Sequence, residues 1–173
     1  MVNVARLTGA SYLLPMAIAE CCRLGSAIIN GLQLEDGTRE YLSQADLGLC
    51  FQAKDKLVEA RIQAVSHILS TDYLVNCKHT SDDSDSDSSS GTEDHEDIAH
   101  ILQEMLKGKI PGLCTPHVWE SVVPILNKHA PDLCHRCLRD IKREEARQQK
   151  FIFARLPALV GVTVDGWCAR AQA

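Results

Sequence analysis

The chain has 173 residues, which is enough for one domain with a sizeable core or for two small domains. Hydrophobic residues make up 45% and aromatic residues only 5%, so aliphatic side chains must supply most of any core. The formal net charge of −5 is local in origin, because residues 82–97 hold eight acidic residues and no Lys or Arg. No apolar run is long enough to cross a bilayer, and no secretory signal accompanies the eight cysteines. A disulfide framework is therefore not expected, and we expect a cytoplasmic or nuclear protein.

Helical signals dominate the first 70 residues. Pro15 suits the first turn of a helix, where its missing N–H costs nothing, and Gly25 suits the left-handed position that ends one. This helix is apolar on most sides, so we expect it to be buried. Ser43 begins a second helix, in which Asp46 lies three residues on, as in a variant of the capping box. A third helix is predicted at 55–70. Its apolar stripe consists of Val58, Ile62, Val65 and Leu69.

An acidic segment divides the chain. Residues 81–94 contain only Ser, Asp, Gly, Thr and Glu, and they lack the apolar side chains that offset the entropy of ordering a chain. The composition predicts a disordered linker at 81–95. Four aspartates match positions one, three, five and twelve of an EF-hand calcium loop: Asp83, Asp85, Asp87 and Asp94. Ser88 stands where that loop needs glycine, so a solvated charge run is the favoured interpretation. Ser84 and Ser90, each followed by an acidic residue three positions on, are candidate phosphorylation sites.

Helical signals resume after this segment. A helix is predicted at 97–107, where Gly108 ends it. The pair Thr115-Pro116 is typical of a helix start, and Pro124 is expected to kink or end that helix. A longer helix is predicted at 132–155, followed by a loop or short extended segment at 156–167. The predicted fold class is all-α, with two small helical lobes at 1–80 and 96–173 joined by the disordered acidic linker.

The order of several short motifs resembles a known family. The motifs are Leu14-Pro15-x-Ala17, Leu42-x3-Asp46-x3-Cys50, Leu57, Cys134-x2-Cys137 and Leu156-Pro157-x3-Gly161. Together they resemble the helical region that follows the BTB/POZ domain in an expanded family of fungal BTB-domain proteins. The BTB core itself is missing, and Ala53 and Phe153 stand where Gly and Trp would be expected. In that family the BTB domain mediates dimerisation and, in some members, docks a cullin for ubiquitin ligation. The resemblance implies a helical extension of such an adaptor.

Two pairs of metal-ligand residues are the most specific constellation in the sequence. Cys114-x2-His117 and Cys134-x2-Cys137 have the spacing at which one turn presents two ligands to a zinc ion. They predict a structural Cys3His site, for which Cys77, His79 and His129 are alternative ligands. Against this, Thr115-Pro116 looks like a helix start, and Cys134 and Cys137 could pack on the buried face of a helix. A redox dithiol at the same two cysteines is a lesser alternative, because no βαβ pattern surrounds them.

Basic residues recur in the last predicted helix, but acidic residues alternate with them. Asp140 with Arg143 and Glu144 with Arg147 form pairs at helical spacing, and no aromatic residues alternate with the basic ones to stack on bases. A solvated amphipathic helix is therefore favoured over a nucleic-acid surface.

No enzyme signature is present, neither a phosphate-binding loop nor a nucleophile elbow nor a metalloprotease helix. The sequence therefore predicts a non-catalytic protein-protein interaction fragment, with a protein partner or self-association. Neither a membrane nor a small-molecule substrate is expected. The alternatives are a small zinc-stabilised helical module that contacts nucleic acid and, as a minor one, a cysteine-dependent enzyme.

Overall fold

The computed structural model describes residues 1–70, 93–131 and 133–167, which are mostly helical. Six α-helices lie in these ranges: α1 (Val2–Thr8), α2 (Leu14–Cys22), α3 (Gln44–Leu69), α4 (Glu93–Leu106), α5 (Val123–His129) and α6 (His135–Val160). Two short 3-10 helices, Ser11–Leu13 and Gly25–Asn30, lie before and after α2. The predicted helical character is confirmed. Within the described ranges, none of the helices combines the length and apolarity that spanning a membrane requires.

The chain forms two compact units. The first comprises Met1–Arg61, Cys114–Val118 and Lys150–Ala173, and the second comprises Ile62–Leu113 and Trp119–Gln149. Each unit contains residues from both sides of the acidic segment, whereas the predicted lobes divide there. As domain boundaries, 1–80 and 96–173 stay a prediction, and so does the linker at 81–95.

Helix α2 forms where the sequence predicts it. Pro15 lies in its first turn, and the helix ends at Cys22, three residues before Gly25, whose φ is +56°. The expected burial is confirmed, because most of the apolar side chains of α2 are shielded from solvent. The buried residues are Leu14, Pro15, Ala17, Ile18, Ala19 and Cys22.

Helix α3 begins at the predicted cap. The Ser43 hydroxyl oxygen accepts the Asp46 N–H at 3.1 Å and donates its proton to the Asp46 carboxylate at 2.8 Å. The hydrogen bond to the Asp46 N–H is that of a capping box. The carboxylate accepts the serine hydroxyl proton, and it also binds the Arg6 guanidinium of α1 at 2.7 Å.

The prediction of two helices at 43–70 is wrong, because α3 runs through the whole segment as one helix. Four of the five residues at 52–56 are polar, so they do not continue an apolar stripe. In the structure these four are exposed on α3, and Ala53 between them is buried. Cys50, Ala53 and Leu57 therefore continue one apolar face, with the i, i+3, i+7 spacing of a helix.

A short β-hairpin is the departure from the predicted all-α class. Strands β1 (Leu32–Gln33) and β2 (Arg39–Glu40) pair antiparallel, with Leu32 opposite Glu40. Asp36 and Gly37 form the turn, in which the Asp36 carboxylate accepts the Thr38 N–H at 2.9 Å and Gly37 takes a φ of +83°. Asp-Gly is a strong short-range hairpin signal, and apolar and polar residues alternate at 32–35 before it, but the residues at 38–42 after it lack this alternation.

The helix predicted from Thr115-Pro116 is not formed. Thr115 instead closes a turn, because its hydroxyl oxygen accepts the His117 N–H at 3.0 Å. Helix α5 begins at Val123, so Pro124 lies in its first turn and does not end a helix. The Glu145 carboxylate of α6 binds the first turn of α5 by accepting the Val122 N–H at 2.7 Å.

The prediction of a loop at 156–167 is also corrected, since α6 continues through Pro157 to Val160. A proline inside a helix has no N–H for the carbonyl four residues earlier, which here belongs to Phe153. That carbonyl accepts the indole N–H of Trp167 at 2.8 Å, and the two aromatic rings lie 4.8 Å apart. The chain after α6 thus supplies the hydrogen bond that Pro157 cannot.

The second unit encloses one apolar cluster. Its most buried members include Val65, Met105, Leu113, Val122, Leu126 and Ile141, from α3, α4, α5, α6 and the loop between α4 and α5. The predicted intrahelical pairs on α6 are confirmed, because Arg143 contacts Asp140 at 2.7 Å and Arg147 contacts Glu144 at 3.5 Å.

Candidate functional site

An apolar cavity of about 290 Å³ lies in the first unit. The start of α1, the end of α2, the 3-10 helix Gly25–Asn30 and the hairpin supply its walls. Most of the residues that line it are apolar, and they include Met1, Val2, Leu24, Ala27, Ile28, Leu32, Tyr41 and Leu42. Among the lining residues, Asn3, Glu40, Cys21 and Tyr41 carry polar side-chain groups.

The wall beside the hairpin depends on a glycine. Gly31 follows the 3-10 helix with a φ of +68°, and a Cβ atom there would lie 2.7 Å from the Glu40 carbonyl oxygen and 2.9 Å from the Tyr41 ring. A side chain at this position would therefore force β2 away from the 3-10 helix. Arg39 and Asn3 hold the same wall, because the Arg39 guanidinium donates to the Asn30 carbonyl at 2.8 Å and the Asn3 amide donates to the Tyr41 carbonyl at 2.9 Å.

The rim of the cavity is exposed and apolar. Met1, Leu24, Leu32 and Tyr41 all line it, and each is between 55% and 72% exposed. Isolated apolar side chains on a surface are ordinary, but several around one concavity are typical of a binding site. We refer to the cavity and these four residues as the apolar cleft.

Three thiols lie beside the apolar cleft. Cys21 and Cys22 end α2, and Cys50 faces them from α3. The Cys22 thiol donates to the Cys50 main-chain carbonyl at 3.2 Å. The Cys50 thiol also lies close enough to the Cys21 and Cys22 thiols to influence their pKa values. Cys21 is partly exposed, whereas Cys22 and Cys50 are buried.

These contacts move the three thiol pKa values apart. The hydrogen bond with Cys50 lowers the pKa of Cys22 below its ordinary value, aided by the ammonium of Lys54 and opposed by burial. The Cys50 pKa is lowered by the hydrogen bond with Cys21, but the bond with Cys22 and burial outweigh this and raise it to about 12. The hydrogen bond with Cys50, together with burial, raises the pKa of Cys21. Cys22 is therefore the thiol of this cluster that ionises first.

A second, smaller cavity of about 210 Å³ reaches the thiol cluster from outside. Cys21, Cys22 and Cys50 line it, and Ser26, Phe51 and Lys54, all exposed, lie at its edge. The cavity is therefore bordered by cysteines from two helices.

The residues of the predicted zinc site are divided between the two units. Cys114, which is exposed, and His117 belong to the first unit, and Cys134 and Cys137 belong to the second. The Cys134 sulfur accepts the Cys137 N–H at 3.3 Å, which caps the start of α6, while the Cys137 side chain is buried in the apolar cluster. Both cysteines thus have the packing role that was the alternative to zinc. Among the described residues, no group of three or more His, Cys, Asp or Glu side chains could hold a metal ion. The zinc site stays a prediction.

The other candidate sites lie outside the described side chains. The EF-hand-like aspartates, the serines Ser84 and Ser90, and the alternative ligands Cys77 and His79 fall at 77–94. His129 is described, at the end of α5.

Sequence analysis did not find the apolar cleft or the thiol cluster. Cys21 and Cys22 were visible as part of an apolar helix, and Cys50 as part of the apolar face of the next one. Only the packing of α2 on α3 brings the three sulfur atoms together. The sequence contains one weak indication of the cleft. Asp36-Gly37 favours a hairpin, and a hairpin there places Leu32 and Tyr41 near each other.

Comparison with known proteins adds no relative. No family model matches the chain, and neither a curated protein nor a solved structure matches it.

Proposed function

We propose that the chain is a non-catalytic protein-protein interaction module, and that a protein partner inserts an apolar side chain into the apolar cleft. The observation that carries this proposal is the ring of four exposed apolar residues around one cavity. Burying such a rim against a partner removes apolar surface from water, which is the main favourable contribution to association.

The lining favours a protein side chain over a small-molecule substrate. Small-molecule sites usually occupy roughly 300–1,000 Å³ and hold several polar groups that fix the orientation of the ligand. The cleft is slightly smaller, and the Asn3 amide, one of its few polar groups, already donates to the Tyr41 carbonyl. Most of the remaining lining residues are apolar, which suits an aromatic or aliphatic anchor residue of a partner.

The resemblance to the post-BTB region supports the same function. The motif residues of the first half have structural positions: Pro15 starts α2, Asp46 caps α3, and Cys50 and Leu57 are buried on α3. Residues that start, cap or pack helices are those that this chain and the post-BTB region would have in common if they shared a helical framework. In this proposal the chain is the helical extension of a BTB-type adaptor, and the apolar cleft is its contact surface.

Differential capture tests the proposal. The tagged full chain, the double variant Leu24→Asp/Leu32→Asp and the control Leu106→Asp are each used to capture proteins from an extract of the source organism. Leu106 is as exposed as the two cleft residues but lies in the second unit, so the control changes surface charge away from the cleft. Circular dichroism checks that all three chains are folded.

We expect a defined protein to be captured by the wild-type chain and the control and to be lost from the double variant. Sedimentation velocity over a range of concentrations identifies the case in which that partner is a second copy of the chain. Identical sets of captured proteins for all three chains, with no change in sedimentation, would overturn the proposal.

A further inference from the structure

We propose that Cys22 and Cys50 are a modification site: a hydroperoxide oxidises Cys22 to a sulfenic acid, and Cys50 converts it to a disulfide. The site is separate from the apolar cleft and does not depend on a partner binding there. Its reactants are two thiols of this chain and a small peroxide.

Geometry is the first support. The Cys22 thiol donates to the Cys50 main-chain carbonyl oxygen at 3.2 Å, and both residues line the cavity of about 210 Å³. A disulfide needs the two sulfur atoms to approach to about 2.05 Å from such a contact. Cys22 is the last residue of α2, and Cys50 lies within α3. The two side chains already face each other, so no long segment has to unfold before a disulfide forms.

Access is the second support. The cavity of about 210 Å³ ends at the three thiols and has exposed residues at its edge. This volume admits a peroxide, while the burial of Cys22 and Cys50 keeps larger reagents away. The Lys54 ammonium lines the same cavity and stabilises a thiolate at Cys22, which the lowered pKa of that thiol also favours.

The chemistry balances in two steps. The Cys22 thiolate attacks one peroxide oxygen, an S–O bond forms, the O–O bond breaks, and hydroxide leaves with the electron pair. The sulfur is oxidised by two electrons, and the peroxide is reduced by two. The Cys50 sulfur then attacks the Cys22 sulfur, the S–S bond forms as the S–O bond breaks, and the departing hydroxide takes the Cys50 proton as water. Overall, two thiols and hydrogen peroxide give one disulfide and two waters.

The disulfide would close a loop that contains most of the apolar cleft. The lining residues Leu24, Ile28, Leu32 and Tyr41 all lie between positions 22 and 50. Closing this loop restricts the unfolded chain and ties the walls of the cleft to α3. Oxidation should therefore raise the midpoint of thermal unfolding, and a dithiol reductant should reverse the rise.

Peptide mapping of the oxidised full chain is the test. The reduced protein is treated with a few equivalents of hydrogen peroxide, its remaining thiols are blocked with N-ethylmaleimide, and it is digested with trypsin without reduction. Cleavage after Arg23, Arg39 and Lys54 places Cys21 and Cys22 on one peptide and Cys50 on another. We expect these two peptides to be joined in the wild-type chain and in Cys21→Ser, but not in Cys22→Ser.

A second measurement guards against a variant that does not fold. Dimedone, which traps sulfenic acids, is added during oxidation of Cys50→Ser, where the intermediate has no Cys50 thiol to resolve it. We expect the adduct on Cys22, with the exposed Cys114 and the buried Cys137 as internal controls in the same sample. A crosslink that persists in Cys22→Ser, or oxidation of Cys114 ahead of Cys22 in the wild-type chain, would overturn the proposal.

Discussion

The two units differ in how they treat large apolar side chains. Among the described residues, twelve such side chains are exposed, and eleven of them belong to the first unit. Leu106 is the one that belongs to the second unit. The second unit instead surrounds its cluster with charged residues, such as Glu104, which contacts Lys107 at 3.0 Å and Lys109 at 2.8 Å.

The units also differ in their buried polar groups. In the first unit, Asp46 is buried while it binds Arg6 and Ser43, and the buried Cys22 thiol donates to the Cys50 carbonyl. In the second unit the buried carboxylate is that of Glu144, which accepts the Gln148 amide N–H at 2.8 Å and contacts Arg147 at 3.5 Å on the same helix. The comparison shows that the second unit closes its own core, whereas the first leaves most of its large exposed apolar side chains at the surface.

The largest expected effect concerns the closed core of the second unit. Ile141 is fully buried in the apolar cluster, so Ile141→Ala removes packed methyl groups and leaves a cavity. We expect the free energy of unfolding to fall by roughly 2–5 kcal/mol. Urea unfolding followed by circular dichroism measures the change. Leu106→Ala, exposed in the same unit, is the matched control and should change stability by no more than about 0.5 kcal/mol. Equal effects at the two positions would show that this core is not closed.

An intermediate effect is expected where the first unit buries a charge. Asp46→Ala leaves the Arg6 guanidinium without its carboxylate and removes the hydrogen bond that the Ser43 hydroxyl donates to that carboxylate, while the N–H of residue 46 can still donate to Ser43. The loss should be about 1–3 kcal/mol, measured by the same urea unfolding. Because Arg6 is partly exposed, water can replace some of the lost contact, so we expect less than the cost of a fully buried orphan charge. Glu20→Ala, which breaks an exposed pair with Arg23, is the control and should be nearly neutral. A loss of unfolding free energy no larger than that of Glu20→Ala would show that the buried Asp46 contacts do not stabilise the first unit.

The smallest expected effect is a pH-dependent change in stability that comes from Glu104 on the surface of the second unit. Lys109, and then Lys107, lower the pKa of Glu104 from 4.5 to about 2 by hydrogen bonding to its carboxylate. A carboxyl whose pKa is lower in the folded state contributes its stability above the unfolded pKa, and that stability is lost as the pH falls through the folded pKa. Glu104→Gln should therefore be less stable than the wild-type chain at neutral pH, and the difference should shrink between pH 4.5 and pH 2.

Thermal unfolding of the two proteins across that pH range measures the difference. The variant Lys107→Met/Lys109→Met is the control, because it leaves Glu104 in place and removes the cause of its shift. A stability difference that stays constant from neutral pH down to pH 2 would contradict this account.

Much of the helical framework could be predicted from local signals. Pro15, the Ser43–Asp46 cap and the apolar stripe on α3 mark helices by physical effects that act over three or four residues. Two of the errors occurred at prolines whose effect depends on a residue far away in the sequence. Pro157 looked like a helix breaker, but the Trp167 indole supplies a donor to the Phe153 carbonyl. Pro124 was expected to kink or end a helix, but it lies in the first turn of α5. The Glu145 carboxylate of α6 accepts the Val122 N–H just before that turn.

Neither candidate site could be predicted, for the same reason. The apolar cleft needs Gly31 to bring the 3-10 helix against β2, and the thiol cluster needs α2 to lie on α3. Both depend on tertiary packing between segments whose spacing carries no motif. Two residues that did have motif spacing, Cys134 and Cys137, lie at the start of α6 and in the apolar cluster, and the zinc site for which they were proposed stays a prediction.

Site-specific photo-crosslinking tests most directly the central claim that the first unit carries the partner surface. A photoreactive phenylalanine derivative replaces Tyr41 at the apolar cleft or Leu106 on the second unit, two side chains of nearly equal exposure. After irradiation in cells of the source organism, crosslinked products are separated and identified by mass spectrometry. We predict one defined protein adduct from position 41 and none from position 106. Adducts of equal yield from both positions, or an adduct from position 106 alone, would contradict the claim.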